Sequence, residues 1–540
     1  MTATTSTEAP ERPGGRTDFG ARSGARSASW SATRALARTE AVRLLRHSAV
    51  LVAFALYAAQ WAYSAYSGND RYPVLQDEDR FTQLPLLIPA AGTLLAANLA
   101  ALRPHRHGTD AMLDLLVLPP WRRTCAQLLS LLPLTALSAV LVGARIGYAA
   151  VQEAAVGSPS GAELATGPLV VLLAGAIGVL AARFVRSVAA GPLTLAGLGI
   201  VTVAGALPSR SDWRWWGLVA VEDENRAPLP SSLMHRPAGW HLLYLAALLA
   251  LVAAAALLRS GRRVTTGLAV ATGLVPALAV LAGSVQLLGV ADEVSRARAV
   301  AERAPSPQQV CGSRGPVDYC AFPEFADRSE QWAQVAEGIL RWAPQVARER
   351  RYVVRQHIVP ATSVSGLVSP LPLESWAADD RAAGTPGALP VGTDWGTHSD
   401  VVGDRMLAFA GSLAHRAVVG ESSPVPEHGV VCRSRGVLTL WLAVRSTADT
   451  RDAYDSLSGR SWGGITLNSF DAATGLGFNR REQDVVDALL KRSVTETGAR
   501  VKKFWAELTA PDTTTDRAAA LLGVRVPPPA TRDDEGVCAA

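Results

Sequence analysis

Seven apolar stretches dominate the first 290 residues of this chain, each close to the roughly 20 residues that carry an α-helix across a bilayer. They run at Ser48–Tyr66, Leu84–Leu102, Leu128–Ala149, Pro168–Arg183, Ala189–Leu207, Trp240–Leu258 and Val264–Val290. In hydrocarbon every backbone N–H and C=O needs a partner within the segment, so helices are the expected form. The sequence has 540 residues, 49% of them hydrophobic, and its mean hydropathy is +0.17. That balance fits a polytopic membrane protein better than a soluble one of this size. The expected fold class is mainly α: a membrane helical bundle of about seven spans plus a mostly helical extracytoplasmic domain. Residues 1–30 read as a disordered cytoplasmic tail, since they are rich in Thr, Ser, Gly, Ala and Arg and lack an apolar core. Residues 31–290 form the membrane domain and residues 291–540 the outer one.

Arginine placement sets the expected orientation. Eight arginines precede Ser48. The loops that share this side carry Arg103, Arg106, Arg122 and Arg123, then Arg183 and Arg186, then Arg259, Arg262 and Arg263. The opposite loops "SGNDRYPVLQDEDR" and "VQEAAVGSPSGAELATG" are more acidic, and Pro208–Pro237 is mixed, with four Arg and four acids. The bias places the N-terminus in the cytoplasm, and seven crossings then place residues 291–540 outside the plasma membrane. Tyr57, Trp61, Tyr63 and Tyr66, with Trp240 and Tyr244, fit an outer interfacial aromatic belt.

Several function classes are disfavoured. The chain has three lysines, Lys491, Lys502 and Lys503, and none follows a glycine, so no Gly-Lys-Ser/Thr phosphate loop exists. No basic stretch is interleaved with aromatics as in a nucleic-acid surface, so nucleic acid is not an expected partner. The apolar stretches carry Pro85, Pro89, Pro133, Pro192 and Pro276, which kink helices, but no Asp or Glu. A proton- or sodium-coupled carrier ordinarily needs an intramembrane carboxylate.

The loop "HGTDAMLDLLVLPPWRRTCAQLL", His107–Leu129, contains its own amphipathic helix. Met112, Leu115 and Leu116 share one helical face and Asp110 and Asp114 another. Thr109 is placed to cap the start, and Pro119–Pro120 to end the helix. Trp121, Arg122 and Arg123 then reach the membrane interface. A short helix held against two spans is a docking surface for a cytoplasmic protein; an ordinary interfacial loop with positive-inside arginines has the same composition.

This loop resembles the first cytoplasmic loop of ATP-binding-cassette exporter permeases of the second type. Gly108, Thr109, Asp114, Leu115, Leu116, Pro119, Trp121 and Arg123 occupy the family's places, with Arg122 beside them. "SWSATRALARTEAVRLLRH" is similar to the family's elbow helix, with Leu36, Ala37, Ala41, Leu44 and Leu45 on one face and Arg34, Arg38, Arg43 and Arg46 for anionic headgroups. The resemblance covers roughly Trp30–Leu258 and implies that residues 31–290 are a permease. It implies that the loop touches a separate ATPase subunit, that a second permease copy or paralogue completes the path, and that membrane lipids surround it. Family members typically stop at six spans; this chain adds a seventh and residues 291–540. With "VC…VDYCAFPEF…W", Val310–Trp332, it also looks like actinobacterial permeases with a C-terminal extracytoplasmic part.

In residues 291–540, Cys311 and Cys320 flank "GSRGPVDY", and an outside location favours a disulfide between them, although two separate thiols have the same spacing. Cys125 falls on the cytoplasmic side; Cys432 and Cys538 have nothing in the sequence that argues for pairing. Helices are expected at Pro323–Trp342, Val401–His415, Glu482–Arg492, Thr495–Leu508 and "TTTDRAAALLG", and linkers at Ser365–Gly392 and Val524–Gly536. "GVLTLWLAVRST" fits helix and strand equally. "GRSWG", Gly459–Gly463, matches a nucleophile elbow at Ser461, but its flanks read helix before and strand after, the reverse of what an elbow needs. His357, His398, His415 and His428 form no metal-binding spacing. Glu482, Asp484 and Asp487 read as a solvated face. No catalytic, cofactor-binding or metal site is expected, and any ATPase activity belongs to another chain.

Three functions remain open. The first is the permease subunit of an exporter. The second is a membrane-anchored receptor whose outer domain recognises a ligand. The third is an envelope enzyme.

Overall fold

The fold is given by a computed structural model. It describes residues 18–66, 72–109, 112, 118–153, 155–205, 215–220, 227–234, 236–261, 266–288, 292–358, 371–396, 404–420, 429–461, 463–470 and 474–526. Among these, six helical stretches are long and apolar enough to cross a membrane, and a seventh, Ala190–Ala204, is shorter. The chain is a mainly α polytopic bundle.

The bundle begins with α1 (Asp18–Leu45) and continues with α2 (Ser48–Tyr66), a short α3 (Leu75–Phe81) and α4 (Leu87–Arg106). Then come α5 (Pro120–Leu129), α6 (Leu132–Ala150), α7 (Gly161–Phe184), α8 (Ala190–Gly205), α9 (Ala238–Arg259), α10 (Thr266–Val285) and α11 (Asp292–Arg303). α1 already runs from Asp18, within the stretch 1–30 that reads as a tail in the sequence. Ala and Arg there are good helix formers, and they outweigh Gly20 and Gly24.

The third span is two rods. α5 stops at Ser130 and α6 starts at Leu132, because Pro133 has no N–H to continue the ladder. The strongest packing joins α4 to α7, and Gly178 permits it: a Cβ there would lie 2.3 Å from the Leu94 carbonyl oxygen. Asn98 crosses the same seam and donates to the Gly178 carbonyl at 3.1 Å.

Residues beyond α10 pack against loops on one end of the bundle, here the domain end. Tyr72 N donates to Gly396 O at 3.0 Å, and Gln76 donates to Glu324 at 3.2 Å. The segment before α4 and the domain after α10 therefore share an end, which needs an even number of passes between them. The rods α4, α5–α6, α7, α9 and α10 make five, and the short α8 supplies the sixth. Gly191 at its start lies against Asn98, while Thr202 and Val203 near its end line a cavity with Leu84. At ~1.5 Å per residue α8 covers about 24 Å.

The part beyond residue 291 is mostly helical, with two small sheets added. Strands β1 (Val310–Arg314), β2 (Val317–Ala321), β3 (Tyr352–His357) and β4 (Leu389–Gly392) form one sheet in the order β1-β2-β3-β4. β1 and β2 are an antiparallel hairpin, and β2, β3 and β4 run parallel. β5 (Gly429–Val430), β6 (Gly464–Asn468) and β7 (Gly475–Asn479) form the second, in the order β5-β7-β6. Around them lie α12 (Ser329–Leu340), α13 (Leu373–Ala382), α14 (Asp404–Val419), α15 (Arg433–Val444), α16 (Ala448–Ser458), α17 (Arg480–Leu490), α18 (Val494–Lys503) and α19 (Thr515–Leu522). The expected linker at Ser365–Gly392 holds α13 and β4 instead, in its described part.

α15 is the centre. Val437 through Val444 are buried on every face of that helix, so its sequence carries no amphipathic period. This settles "GVLTLWLAVRST" as helix. Trp332, Trp395 and Trp441 are fully buried in the same core.

Candidate functional site at the loop end of the bundle

α4 ends at Arg106, and Gly108 takes φ +65°, the left-handed turn that glycine allows after a helix. Gly108 N donates to His105 O at 3.2 Å, and Thr109 N to Pro104 O at 3.0 Å. Gly108 and Thr109 thus close the second span. Asp114, Leu115 and Leu116 lie outside the described residues; Met112 between them and Thr109 is 70% exposed.

Pro119–Pro120 opens a helix. Pro119 is the N-cap of α5 with an extended backbone, and Pro120 follows at the first turn, where a missing N–H costs nothing. Trp121, Arg122 and Arg123 therefore stand on the first turn of α5. The Arg122 guanidinium lies 5.0 Å from the Trp121 ring and 5.6 Å from the ring of Trp30 on α1. This cation–π contact joins the loop to the first helix.

α1 packs on α5 through the apolar face expected of it. Ala37, Ala41 and Leu44 are buried, Leu36 and Leu45 half-buried, and Arg34, Arg38, Arg43 and Arg46 exposed. Sequence reasoning missed Glu40 on this buried face. It accepts from Arg103 at 3.0 Å and from Arg43 at 2.9 Å, tying α1 to the end of α4. An acid inside an apolar helical stripe was the signal that could have found it.

The span-end arginines gather here. Arg123, Arg183 and Arg186 line a cavity of about 110 Å³ with His105, and Arg183 donates to Gln127 of α5 at 2.7 Å. Arg259 lies over Phe184, and the hydroxyls of Thr124 and Ser260 meet at 2.7 Å. One end of the bundle is thus strongly basic and built from α1, α4, α5, α7 and α9.

The domain end is acidic and closed. α3 lies buried across it. Asp77 pairs with Arg80 at 2.6 Å, Glu78 with Arg145 at 3.3 Å, and Asp79 accepts from Ser160 N at 2.7 Å. Glu163, in the first turn of α7, is buried and pairs with Arg236 at 2.8 Å. This corrects the expectation that no span carries a buried carboxylate, since α7 starts seven residues before the apolar stretch that marked it, at Gly161 rather than Pro168. Burial, with the nearby Glu163 charge, pushes the Asp79 carboxyl up to about 7 against the opposing Ser160 N–H bond. Arg328 is fully buried and donates to the carbonyls of Tyr72 and Trp395.

In the domain after α10, Cys311 and Cys320 are register partners on the β1–β2 hairpin and are disulfide-bonded. Cys432 is also disulfide-bonded, while the question of its pairing with Cys538 lies outside the described residues. Ser461 follows α16 and precedes β6, and its hydroxyl donates to Leu457 O at 2.8 Å. That is a helix-end bond and not an elbow. His357 is fully buried, stacked 4.0 Å from Trp376, and burial beside Arg355 pushes its imidazole down to about 3. Burial also lowers His415, whereas His398 and His428 lie outside the described residues. The solvated-face reading of α17 fails at Glu482, which is buried and accepts from Arg433 N at 3.0 Å and Thr515 Oγ1 at 2.8 Å. It fails also at Asp487, which accepts from Tyr454 at 2.6 Å, and holds at Asp484, paired with Arg480 of its own helix at 3.0 Å. No cluster of three or more metal-ligating side chains occurs among the described residues.

No family model, no curated protein and no solved structure matches this chain.

Proposed function

We propose that this chain is the permease subunit of an ATP-binding-cassette exporter, moving substrate across the plasma membrane with ATP hydrolysed by a separate subunit. In this reading the basic loop end faces the cytoplasm and residues 291–540 stand outside. The observation that carries it is the Trp30–Arg122–Trp121 stack, which holds α1 and the start of α5 together at one end of the bundle. A partner pressing on Met112 and the Trp121–Arg123 turn would push on α5, and through it on α1, α7 and α9, which α5 contacts. The arginines gathered there match anionic headgroups and the acidic face of a cytoplasmic partner. Two copies of the chain, or this chain and a paralogue, would enclose the path.

The test is purification of the full chain from its native membrane. The expected result is an ATPase subunit held in the complex and lost in the Trp121→Ala plus Arg123→Glu variant, whose melting temperature stays near the parent's. A complex without an ATPase, or one indifferent to that change, would overturn the reading in favour of a membrane-anchored receptor.

A further inference from the structure

The flank of the bundle between α2 and α6 holds a cavity of about 340 Å³ near the domain end. Trp61 and Ser64 of α2 form one wall, and Arg145 and Tyr148 of α6 the other. Glu78 of α3 closes it from inside, and Glu153, exposed, stands at its edge. The Trp61 and Tyr148 rings meet edge to face with centroids 6.4 Å apart. Glu78 and Arg145 pair at 3.3 Å with side chains 8% and 11% exposed.

This flank is where the bundle presents itself to lipid. α2 buries Val50, Ala53 and Tyr57 and exposes most of its other residues, with Tyr63 and Tyr66 at 71% and 91% exposure near the same end. A hole with an ionic wall in such a place is costly unless something polar fills it. Among the described residues its charged lining is two carboxylates and one guanidinium. Glu78 offsets Arg145, and Glu153 leaves the cavity one unit negative. An anion meets repulsion there; a cation meets a carboxylate and two aromatic rings, the combination that recognises ammonium groups. The volume is at the lower end for small-molecule pockets, the size of a headgroup and not of a whole lipid.

We propose that this cavity binds the ammonium headgroup of an amphiphile whose tail lies in the bilayer between α2 and α6. The site stands on the cavity and its lining, and does not depend on an ATPase driving the chain.

The test uses the full chain in nanodiscs of phosphatidylglycerol, which has no amine. Radiolabelled decyltrimethylammonium is titrated below its micelle concentration. Saturable binding near one per chain is expected, with Trp61→Leu and Glu78→Gln each weakening it about tenfold. Glu153→Gln, on an exposed residue that leaves folding intact, weakens it about threefold. Decyl sulfate does not compete. Competition by phosphatidylethanolamine doped into the disc assigns the site to a membrane lipid; its absence assigns the site to an arriving amphiphile. Non-saturable partition, equal competition by decyl sulfate, or unchanged binding in both Trp61→Leu and Glu153→Gln overturns the proposal.

Discussion

Arg103 donates through Nη1 to both carboxylate oxygens of Glu40, each at 3.0 Å, so the end of the second span grips the first helix. Arg103 is partly exposed and Glu40 nearly buried. Glu40→Ala is therefore expected to cost about 1 kcal/mol and to loosen α1 from the bundle. A tryptic time course checks it: cleavage after Arg34 and Arg38 accelerates, and the Glu40→Ala/Arg103→Ala double variant is no faster than either single one.

The α4–α7 seam admits no side chain at Gly178. Gly178→Leu forces backbone apart and is expected to lower stability by roughly 3 kcal/mol or more, or to prevent assembly. Gly143→Ala, where nothing lies within 4 Å, leaves the melting temperature in detergent within a degree or two, and the contrast locates the effect in the seam.

Asp79 gives a pH dependence of definite sign. Its folded carboxyl titrates at about 7, above its ordinary 3.8, because burial disfavours the charged form. Between those values the folded state holds a proton that the unfolded state has lost, so stability falls as pH rises from about 4 to 7 and levels off above. Melting curves from pH 5 to 8 should show this decline, and Asp79→Asn should flatten it. A slope unchanged in the variant would assign it to another group.

Arg328, in the domain after α10, joins it to the bundle through the Tyr72 carbonyl and holds the Trp395 carbonyl of its own domain. Arg328→Met leaves both buried acceptors without that donor, at about 1–3 kcal/mol each. Calorimetry of the parent should give one cooperative transition. The variant should give two, since the domain core around Trp332 and Trp441 is separate from the bundle's clusters.

Orientation is checked by thiol chemistry. Cys125 lies on α5 at the loop end, and Cys311 and Cys320 lie in the domain after α10. In intact cells a membrane-impermeant maleimide should spare Cys125 and label the exposed Cys311 only after reduction. Loss of this bond should cost the hairpin about 2–3 kcal/mol, from the short loop it closes. Labelling of Cys125 from outside would reverse the topology.

The spans were legible because hydrocarbon tolerates only long apolar helices, so Ser48–Tyr66 stands in the sequence as it stands in the fold. Their ends were harder to read. Pro119–Pro120 has the same composition at the end of one helix as at the start of the next, and only the preceding backbone decides. Glu163 was missed because its partner, Arg236, lies far along the chain. The two small sheets were hidden because strands as short as Leu389–Gly392 give no alternation to detect. Glu482 shows the limit of local pattern: in sequence it is one of three acids on a helix, and in space it holds the start of α15.

Tyr72 is clasped from two sides, its N–H by Gly396 and its carbonyl by Arg328, while Pro73 and Val156 bond the same strip of chain to the turn after α6. A Cβ on Gly396 would collide with the Tyr72 ring, so the joint has no slack. Such a clasp transmits displacement instead of absorbing it. If α2 and α6 tilt against one another, the domain after α10 is carried along like a vane on its shaft, and its attitude becomes a readout of the helices beside it.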